Sequence, residues 1–204
     1  MIIKAIIFDL GNVVLTNDHA FHSPEEIKEF CDYFGVTLDN LETAFTVSFS
    51  DYSLGKYSED EFWQKYLFTA RANKIDIEFA KNFWRKYQKE NENMLSILAK
   101  LKKTYRLASL TTIPREWLEF KRKKFNLDDY FETIVSSSEV GVKKPSPKIY
   151  EIIIDKFNLN AQELLFIDDT QITLPPAQEL GIKTILFRGQ EDLEKELKKL
   201  DIHW

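Results

Sequence analysis

The first predicted strand is Ile2-Ile3-Lys4-Ala5-Ile6-Ile7-Phe8, and it stops at Asp9-Leu10-Gly11-Asn12. Such a nearly continuous run of β-branched and aromatic residues is typical of a strand buried on both faces, as parallel sheets require. Similar runs recur at 106–110, 133–135, 164–167 and 183–187. Segments with helical spacing lie between them at 116–125, 147–157 and 174–180. This alternation predicts an α/β fold with a doubly wound parallel sheet, similar to the Rossmann arrangement.

A different pattern fills residues 23 to 90. Ser23-Pro24-Glu25-Glu26 has the cap, the early proline and the acidic first turn of a helix start. Ser58 and Glu61 form a second capping box after Gly55. Large apolar residues then recur at helical spacing at Phe62, Trp63, Tyr66, Leu67, Phe79, Phe83, Trp84 and Tyr87. The sequence therefore predicts a small helical domain over residues 16–90, inserted into an α/β core formed by residues 1–15 and 91–204.

Composition excludes several classes of protein. The 204 residues include 28 Lys and Arg against 33 Asp and Glu, for a net charge of −5. Nucleic acids and anionic membranes attract clustered basic residues, so neither is an expected partner. A single cysteine, Cys31, forms neither an internal disulfide nor a two-cysteine metal site. We expect a cytoplasmic protein, a monomer or a homodimer, without a membrane span.

Polar side chains follow the predicted strands at the points where they end. Asp9 follows the first strand, Thr111 and Thr112 the second, Lys143-Lys144-Pro145 the third, and Asp168-Asp169 the fourth. Functional groups of an open parallel sheet collect at this edge. A carboxylate attacks a phosphate dianion only when cations neutralise the repulsion, so this combination suits phosphoryl transfer. Lys143 is expected to be a solvated neighbour of the functional lysine.

The carboxylates in this set also suit a magnesium ion. Mg²⁺ prefers oxygen ligands, and Asp9, Asp168 and Asp169 supply them. Lys144 is expected to pair with Asp9 and to hold a phosphoryl group as a point charge. The hydroxyl of Thr111 and the backbone amides around it are expected to donate hydrogen bonds to the remaining phosphate oxygens.

The sequence resembles the haloacid dehalogenase-like (HAD) hydrolases in four segments that occur in order along the chain. These segments are Ile6-Ile7-Phe8-Asp9-Leu10-Gly11-Asn12-Val13-Val14, Leu107-Ala108-Ser109-Leu110-Thr111-Thr112, Gly141-Val142-Lys143-Lys144-Pro145-Ser146-Pro147-Lys148-Ile149-Tyr150 and Leu165-Phe166-Ile167-Asp168-Asp169-Thr170. The resemblance implies the HAD fold of subfamily I, with the insertion as a helical C1 cap that closes over the phosphate site. The Asp-Leu-Gly-Asn motif is similar to that of the α-D-glucose-1-phosphate phosphatase-like branch.

The same resemblance implies a role for each matching residue. Asp9 would form an aspartyl-phosphate. The implied catalytic residues are Asp9, Thr111 and Lys144. The implied phosphate-binding residues are Gly11, Asn12, Thr111, Thr112 and Lys144. The implied Mg²⁺ ligands are Asp9, the backbone carbonyl of Gly11, Asp168 and Asp169.

Three positions depart from the family's pattern. Gly11 replaces a second aspartate that usually protonates the leaving group, a function worth about 10²–10⁴-fold in rate. Thr112 and Thr173 stand where asparagine is frequent. We hypothesise that Asp18 or His19 supplies the missing proton transfer, because both follow the first motif closely. In the insertion, Tyr52, Lys56 and Tyr57 flank Gly55 and are expected to form the substrate loop.

The sequence thus predicts a Mg²⁺-dependent phosphomonoester hydrolase acting on a small phosphorylated metabolite, with a sugar phosphate as one candidate. Two alternatives stay open. A 2-haloacid dehalogenase uses the same aspartate against carbon but needs no metal, so Asp168-Asp169 argues against it. A catalytically weak binding or regulatory protein with the HAD fold is suggested by Gly11.

Overall fold

A computed structural model describes residues 2–16 and 23–203 of the chain. Its strands are β1 (Ala5–Phe8), β2 (Leu15–Thr16), β3 (Lys89–Glu90), β4 (Arg106–Thr111), β5 (Thr133–Ser136), β6 (Leu164–Asp168) and β7 (Lys183–Leu186). Five of them form a sheet in the order β5-β4-β1-β6-β7, with every pair parallel. The predicted doubly wound sheet is confirmed. Its first strand begins at Ala5 rather than Ile2, whose side chain is exposed.

Ten α-helices lie in the described residues: α1 (Pro24–Phe34), α2 (Leu38–Ser53), α3 (Glu59–Thr69), α4 (Ile77–Lys86), α5 (Glu92–Leu101), α6 (Arg115–Phe125), α7 (Ser137–Val140), α8 (Pro147–Phe157), α9 (Leu174–Glu179) and α10 (Gln190–Lys199). Short 3₁₀ turns occupy 127–129, 161–163 and 171–173. Helices α1 to α4 form the predicted helical insertion, and the later helices alternate with the strands of the sheet.

Capping residues start the insertion helices where the sequence predicts. The Ser23 hydroxyl accepts a hydrogen bond from the Glu26 amide at 3.1 Å, which satisfies one of the free N–H groups at the start of α1. At α3, the Glu61 carboxylate accepts from the Ser58 amide at 2.7 Å while the Ser58 hydroxyl accepts from the Glu61 amide. This reciprocal pair confirms the capping box.

The sheet separates two hydrophobic clusters, because successive side chains of a strand point to opposite faces. Ile6 and Phe8 of β1 belong to one cluster, and Ala5 and Ile7 belong to the other. The first cluster continues into the insertion. There the ring of Trp84 in α4 stacks on Trp117 of α6, with centroids 4.2 Å apart. The insertion and the sheet therefore share one continuous core.

The chain enters and leaves the insertion side by side. Strands β2 and β3 pair antiparallel, with Leu15 opposite Glu90 and Thr16 opposite Lys89. These strands lie next to the predicted boundaries, and the division into residues 1–15 with 91–204 and residues 16–90 stays a prediction. In the part of the chain that the structure describes, no helix is both long and apolar enough to cross a membrane.

Candidate active site

The predicted site residues meet at the carboxyl ends of the central strands. Asp9 follows β1, and its amide donates to the Ile167 carbonyl of β6 at 2.9 Å, which extends the strand ladder by one step. Thr111 is the last residue of β4 and Asp168 the last of β6, on either side of β1. The parallel registers put the ends of these three strands at the same level. This is the edge at which open parallel sheets place their ligands.

A buried lysine joins two of the carboxylates. The Nζ of Lys144 lies 2.9 Å from Oδ1 of Asp9 and 2.6 Å from Oδ2 of Asp168. The side chains of Lys144, Asp9 and Asp168 are 6%, 13% and 0% exposed. Lys144 comes from the loop between α7 and α8, directly before Pro145. The predicted pairing of Lys144 with Asp9 is confirmed.

Burial and the neighbouring charges set the protonation of this pair. Burial raises the pKa of Asp9 to about 6; Lys144 opposes this shift, while the charges of Asp168 and Asp169 add to it. Burial works to lower the pKa of Lys144, but the charges of Asp9 and Asp168 outweigh it and raise the pKa above its ordinary value. Lys144 is therefore held as an ammonium at neutral pH.

The three aspartates fit a divalent cation. Asp9, Asp168 and Asp169 each offer a carboxylate oxygen, and these oxygens lie within 4.8 Å of one another. The Thr170 amide orients Asp168 by donating to Oδ1 at 2.8 Å, and the Asn12 side-chain amide donates to Oδ2 of Asp169 at 3.3 Å. Three carboxylates against the one ammonium of Lys144 leave negative charge in excess in this cluster. Mg²⁺ prefers oxygen ligands that together carry such an excess of negative charge.

A pocket of about 360 Å³ opens over this cluster. Its walls are formed by Asp9, Gly11, Asn12, Phe45, Phe49, Thr111, Thr112, Lys144, Pro145, Asp169, Thr170, Ile172 and Thr173. All the residues predicted to bind phosphate are in these walls, as are the predicted catalytic residues. Asp168 is fully buried, held between Lys144 and the Thr170 amide. The structure thus brings the residues predicted for catalysis, phosphate binding and metal binding to one place.

Two aromatic side chains of the pocket wall were not predicted from the sequence. Phe45 and Phe49 are one turn apart on α2, and their rings stack with centroids 4.5 Å apart. The four-residue spacing puts both on one face of the helix and is the signal that could have paired them. The sequence alone does not tell whether such a face meets a core or a pocket.

The three residues expected in the substrate loop do not line this pocket. Tyr52 is fully buried and stacks on Phe62 with ring centroids 4.5 Å apart, Lys56 pairs with Asp51, and the Tyr57 hydroxyl donates to a backbone carbonyl of α2. None of the three predicted loop residues is in the wall of the pocket described above. The prediction is wrong for Tyr52, whose ring fills the core of the insertion, and stays a prediction for Lys56 and Tyr57.

Lys143 also differs from the expectation. It is half-buried, and its Nζ donates to the hydroxyl of Ser50 in α2 at 2.7 Å. The lysine next to Lys144 therefore joins the site loop to the insertion instead of pointing into solvent. The partners are far apart in sequence, so no local pattern indicates the contact.

Comparison with known proteins decides the family. The model of the haloacid dehalogenase-like hydrolase family matches residues 6–187, most of the chain. The chain belongs to this family. The HAD resemblance inferred from the four sequence segments is confirmed, and the fold and the enzyme class follow from it.

Known proteins and solved structures are similar to the chain along different lengths. The chain is 28% identical over 202 residues to D-ribitol-5-phosphate phosphatase of Bacteroides thetaiotaomicron, covering 96% of this chain and 97% of that protein. It is 32% identical over 117 residues to bifunctional epoxide hydrolase 2 of Rattus norvegicus, covering 54% of this chain and only 21% of that protein. A HAD enzyme of B. thetaiotaomicron in complex with magnesium and inorganic phosphate superposes with a TM-score of 0.78 at 24% identity, over 95% and 98% of the two chains.

In this HAD hydrolase, the position two residues after Asp9 has no side chain. Gly11 lines the pocket through its backbone and forms a parallel bridge with Leu15. It can offer a carbonyl oxygen but no proton. Asp18 and His19, the hypothesised replacements, lie outside the described residues, so that hypothesis stays a prediction.

Proposed function

We propose that this HAD hydrolase is a Mg²⁺-dependent phosphatase that hydrolyses phosphomonoesters of small metabolites. The observation that carries the proposal is the buried Lys144 between Asp9 and Asp168, in the wall of a pocket that Thr111, Thr112 and Asn12 also line. A phosphoryl group needs this combination of a carboxylate nucleophile, a fixed cation and hydrogen-bond donors. The name of the D-ribitol-5-phosphate phosphatase supports the same reaction class and makes a sugar or polyol phosphate a reasonable substrate.

The reaction would proceed in two displacements at phosphorus. A carboxylate oxygen of Asp9 would form a bond to phosphorus while the bond to the alcohol oxygen breaks, which leaves an aspartyl-phosphate. The departing alkoxide oxygen keeps the electron pair of that bond and takes a proton from water. Water then attacks this phosphoryl group and releases inorganic phosphate and the Asp9 carboxylate. Lys144 neutralises the phosphoryl oxygens, and the Thr111 hydroxyl lies in the wall to donate to them. Thr112 and Asn12 line the same wall and would complete the phosphate contacts.

Asp9, Asp168, Asp169 and the backbone carbonyl of Gly11 would hold the magnesium ion. The chemistry supplied by Mg²⁺ there is neutralisation of negative charge on the phosphoryl group, which lowers its repulsion with the nucleophile. Asn12 and Thr170 contribute by holding the carboxylates of Asp169 and Asp168 in place through the hydrogen bonds described above.

The test is hydrolysis of p-nitrophenyl phosphate by the full chain, with Mg²⁺ and after its removal with EDTA. We expect metal-dependent turnover, lost by about 10³-fold or more in Asp9→Asn, because the nucleophile is gone. Asp155→Asn makes the same chemical change at an exposed position of α8 and should keep the activity. Halide release from a 2-haloacid without metal would favour the dehalogenase instead, and no hydrolysis of any ester would favour a binding protein.

Two further predictions concern the setting of the enzyme. A composition with one cysteine and a net charge of −5 suits a cytoplasmic protein whose partner is a small phosphate ester rather than a nucleic acid or a membrane. The residues proposed for the site all belong to one chain, so a monomer would be sufficient, and a homodimer is equally compatible.

The α1 to α4 insertion would act as the cap over the pocket, through Phe45 and Phe49.

A further inference from the structure

The insertion contributes an aromatic wall to the pocket. Phe45 and Phe49 are the two pocket residues from α2, and their rings stack at an angle of 16°. Phe49 also lies 5.8 Å from the ring of Trp117 in α6, measured between centroids, so it is supported from behind by the shared core. Ile172, which is 67% exposed, adds a third large apolar side chain to the wall. Beyond the phosphate end, the pocket therefore presents apolar surface.

Hydrogen bonds anchor the C-terminal end of α2 to the rest of the protein, and they fix the position of this wall. Lys143 donates to the hydroxyl of Ser50, the residue after Phe49, at 2.7 Å. The Ser137 hydroxyl, at the start of α7, donates to the backbone carbonyl of Ser53. These bonds reach α2 from the two segments that precede Lys144. These bonds fix the position of Phe49 relative to Lys144, which suits the selection of a substrate by its shape.

The charged side chains of the wall all belong to the phosphate and metal cluster. Among the described lining residues, they are Asp9, Lys144 and Asp169. The other lining side chains are apolar or uncharged. A carboxylate or a second phosphate on the leaving group would lose water against the phenyl rings without gaining a described cation. The quadrupole of an aromatic ring gives its face a partial negative charge, which adds repulsion towards an anion.

We propose that Phe45 and Phe49 are specificity residues that select phosphomonoesters with a small, uncharged leaving group whose C–H groups face the two rings. Short polyols and sugars have this chemistry. The pocket volume of about 360 Å³ is near the lower end of ligand pockets, roughly 300–1,000 Å³, which favours a small metabolite over a nucleotide. The inference rests on the proposed phosphatase function and narrows its substrate class.

The test compares glycerol 1-phosphate with 3-phosphoglycerate, which share three carbons and differ by a carboxylate. We expect the wild-type kcat/KM to favour glycerol 1-phosphate by about 30-fold or more, since a carboxylate that loses water without gaining a partner is disfavoured. Phe49→Lys supplies a cation and should reduce this preference by about 10-fold or more. Phe45→Ala and Phe49→Ala should raise KM for glycerol 1-phosphate by about 10-fold, as expected for lost apolar contact.

Val47→Ala on the exposed side of α2 is the matched control and should change neither substrate's kcat/KM. Equal kcat/KM values for the two substrates in the wild type would overturn the inference without any variant. A preference that does not change in Phe49→Lys or in the alanine variants would overturn the role of these residues. If p-nitrophenyl phosphate is not hydrolysed, the phosphatase proposal itself fails; if it is hydrolysed and 3-phosphoglycerate is preferred, only this inference fails.

Discussion

The ammonium nitrogen of Lys144 lies 2.9 Å from Oδ1 of Asp9, and both side chains are almost entirely buried. Lys144→Met would leave Asp9 and Asp168 facing each other without their shared counter-ion. Breaking a buried ion pair by removing one partner costs about 3–5 kcal/mol, so we expect a loss of unfolding free energy of that order in urea denaturation at pH 7. Hydrolysis should be lost as well, because the phosphoryl group loses its fixed cation.

Lys148→Met is the control for this prediction, since it makes the same change at an exposed position of α8. It should change the unfolding free energy by less than about 0.5 kcal/mol and leave the hydrolysis rate intact. Equal stability of the Lys144→Met variant and the wild type would contradict the structural role of the Lys144 pair.

Two glycines with positive φ allow the cost of backbone strain to be compared with the cost of a steric clash. Gly55 and Gly141 have φ angles of +73° and +68°, a region that costs other residues about 1–2 kcal/mol. A Cβ on Gly55 would lie 2.7 Å from the carbonyl oxygen of Ser138, whereas a Cβ on Gly141 would have no heavy atom within 4 Å. We expect Gly55→Ala to lower the unfolding free energy by at least about 1 kcal/mol more than Gly141→Ala.

The same comparison is informative for catalysis. Gly55 packs against the segment that holds the end of α2, so its substitution should displace Phe49 and reduce kcat/KM, whereas Gly141→Ala should have a smaller effect. Chemical denaturation and steady-state kinetics of the two variants measure both. Indistinguishable behaviour would mean that the insertion adapts to the added methyl group.

The sheet and the phosphate end of the site were predictable from the sequence for a local reason. The strands are short and buried on both faces, so they appear as apolar runs, and parallel topology then places the residues after them at one edge. No further information was needed to predict the meeting of Asp9, Thr111, Lys144 and Asp168. Their meeting place is a property of strand order, which the alternation of strands and helices indicates.

The aromatic wall of the pocket, which would face the leaving group, could not be predicted in the same way. Phe45 and Phe49 occupy a helix among many buried aromatic residues, and only packing decides which faces meet the pocket. The hydrogen bond from Lys143 to Ser50 joins residues 93 positions apart. Such contacts depend on how the insertion sits on the sheet, a long-range property that neither spacing nor propensity encodes.

A buried carboxylate connects the insertion to α6. Oε1 of Glu59, at the start of α3, accepts a hydrogen bond from the indole nitrogen of Trp117 at 3.2 Å, and the same carboxylate pairs with Arg85 of α4. Burial raises the pKa of Glu59, and the charge of Arg85 opposes the shift. Glu59→Ala removes the acceptor of a buried N–H group, so we expect a loss of about 1–3 kcal/mol of unfolding free energy.

Two variants make the Glu59 prediction specific. Glu59→Gln keeps an oxygen for Trp117 but loses the charge, so its destabilisation should be smaller than that of Glu59→Ala. Glu78→Ala removes an exposed partner of Lys81 and should cost at most about 0.5 kcal/mol, as exposed ion pairs do. Thermal or urea unfolding ranks the three, and an equal loss in Glu59→Ala and Glu78→Ala would rule out the buried role.

Lys121 of α6 is fully buried, and its Nζ lies 5.6 Å from the centre of the Trp84 ring. Burial lowers its pKa to about 7, and the charge of Asp9 opposes the shift. Between about pH 7 and pH 10.5, the unfolded chain therefore binds a proton that the folded protein does not. The unfolding free energy attributable to Lys121 accordingly rises with pH across this window, by up to about 1.4 kcal/mol per pH unit.

Lys121→Met should remove this dependence, because methionine keeps the apolar stem and has no proton to lose. We expect the variant to melt several degrees above the wild type at pH 7, with the difference shrinking towards pH 10. Lys123→Met, at an exposed position of the same helix, should follow the wild type at every pH. A gap in Tm that stays constant from pH 7 to pH 10 would show that Lys121 keeps its proton in the folded state.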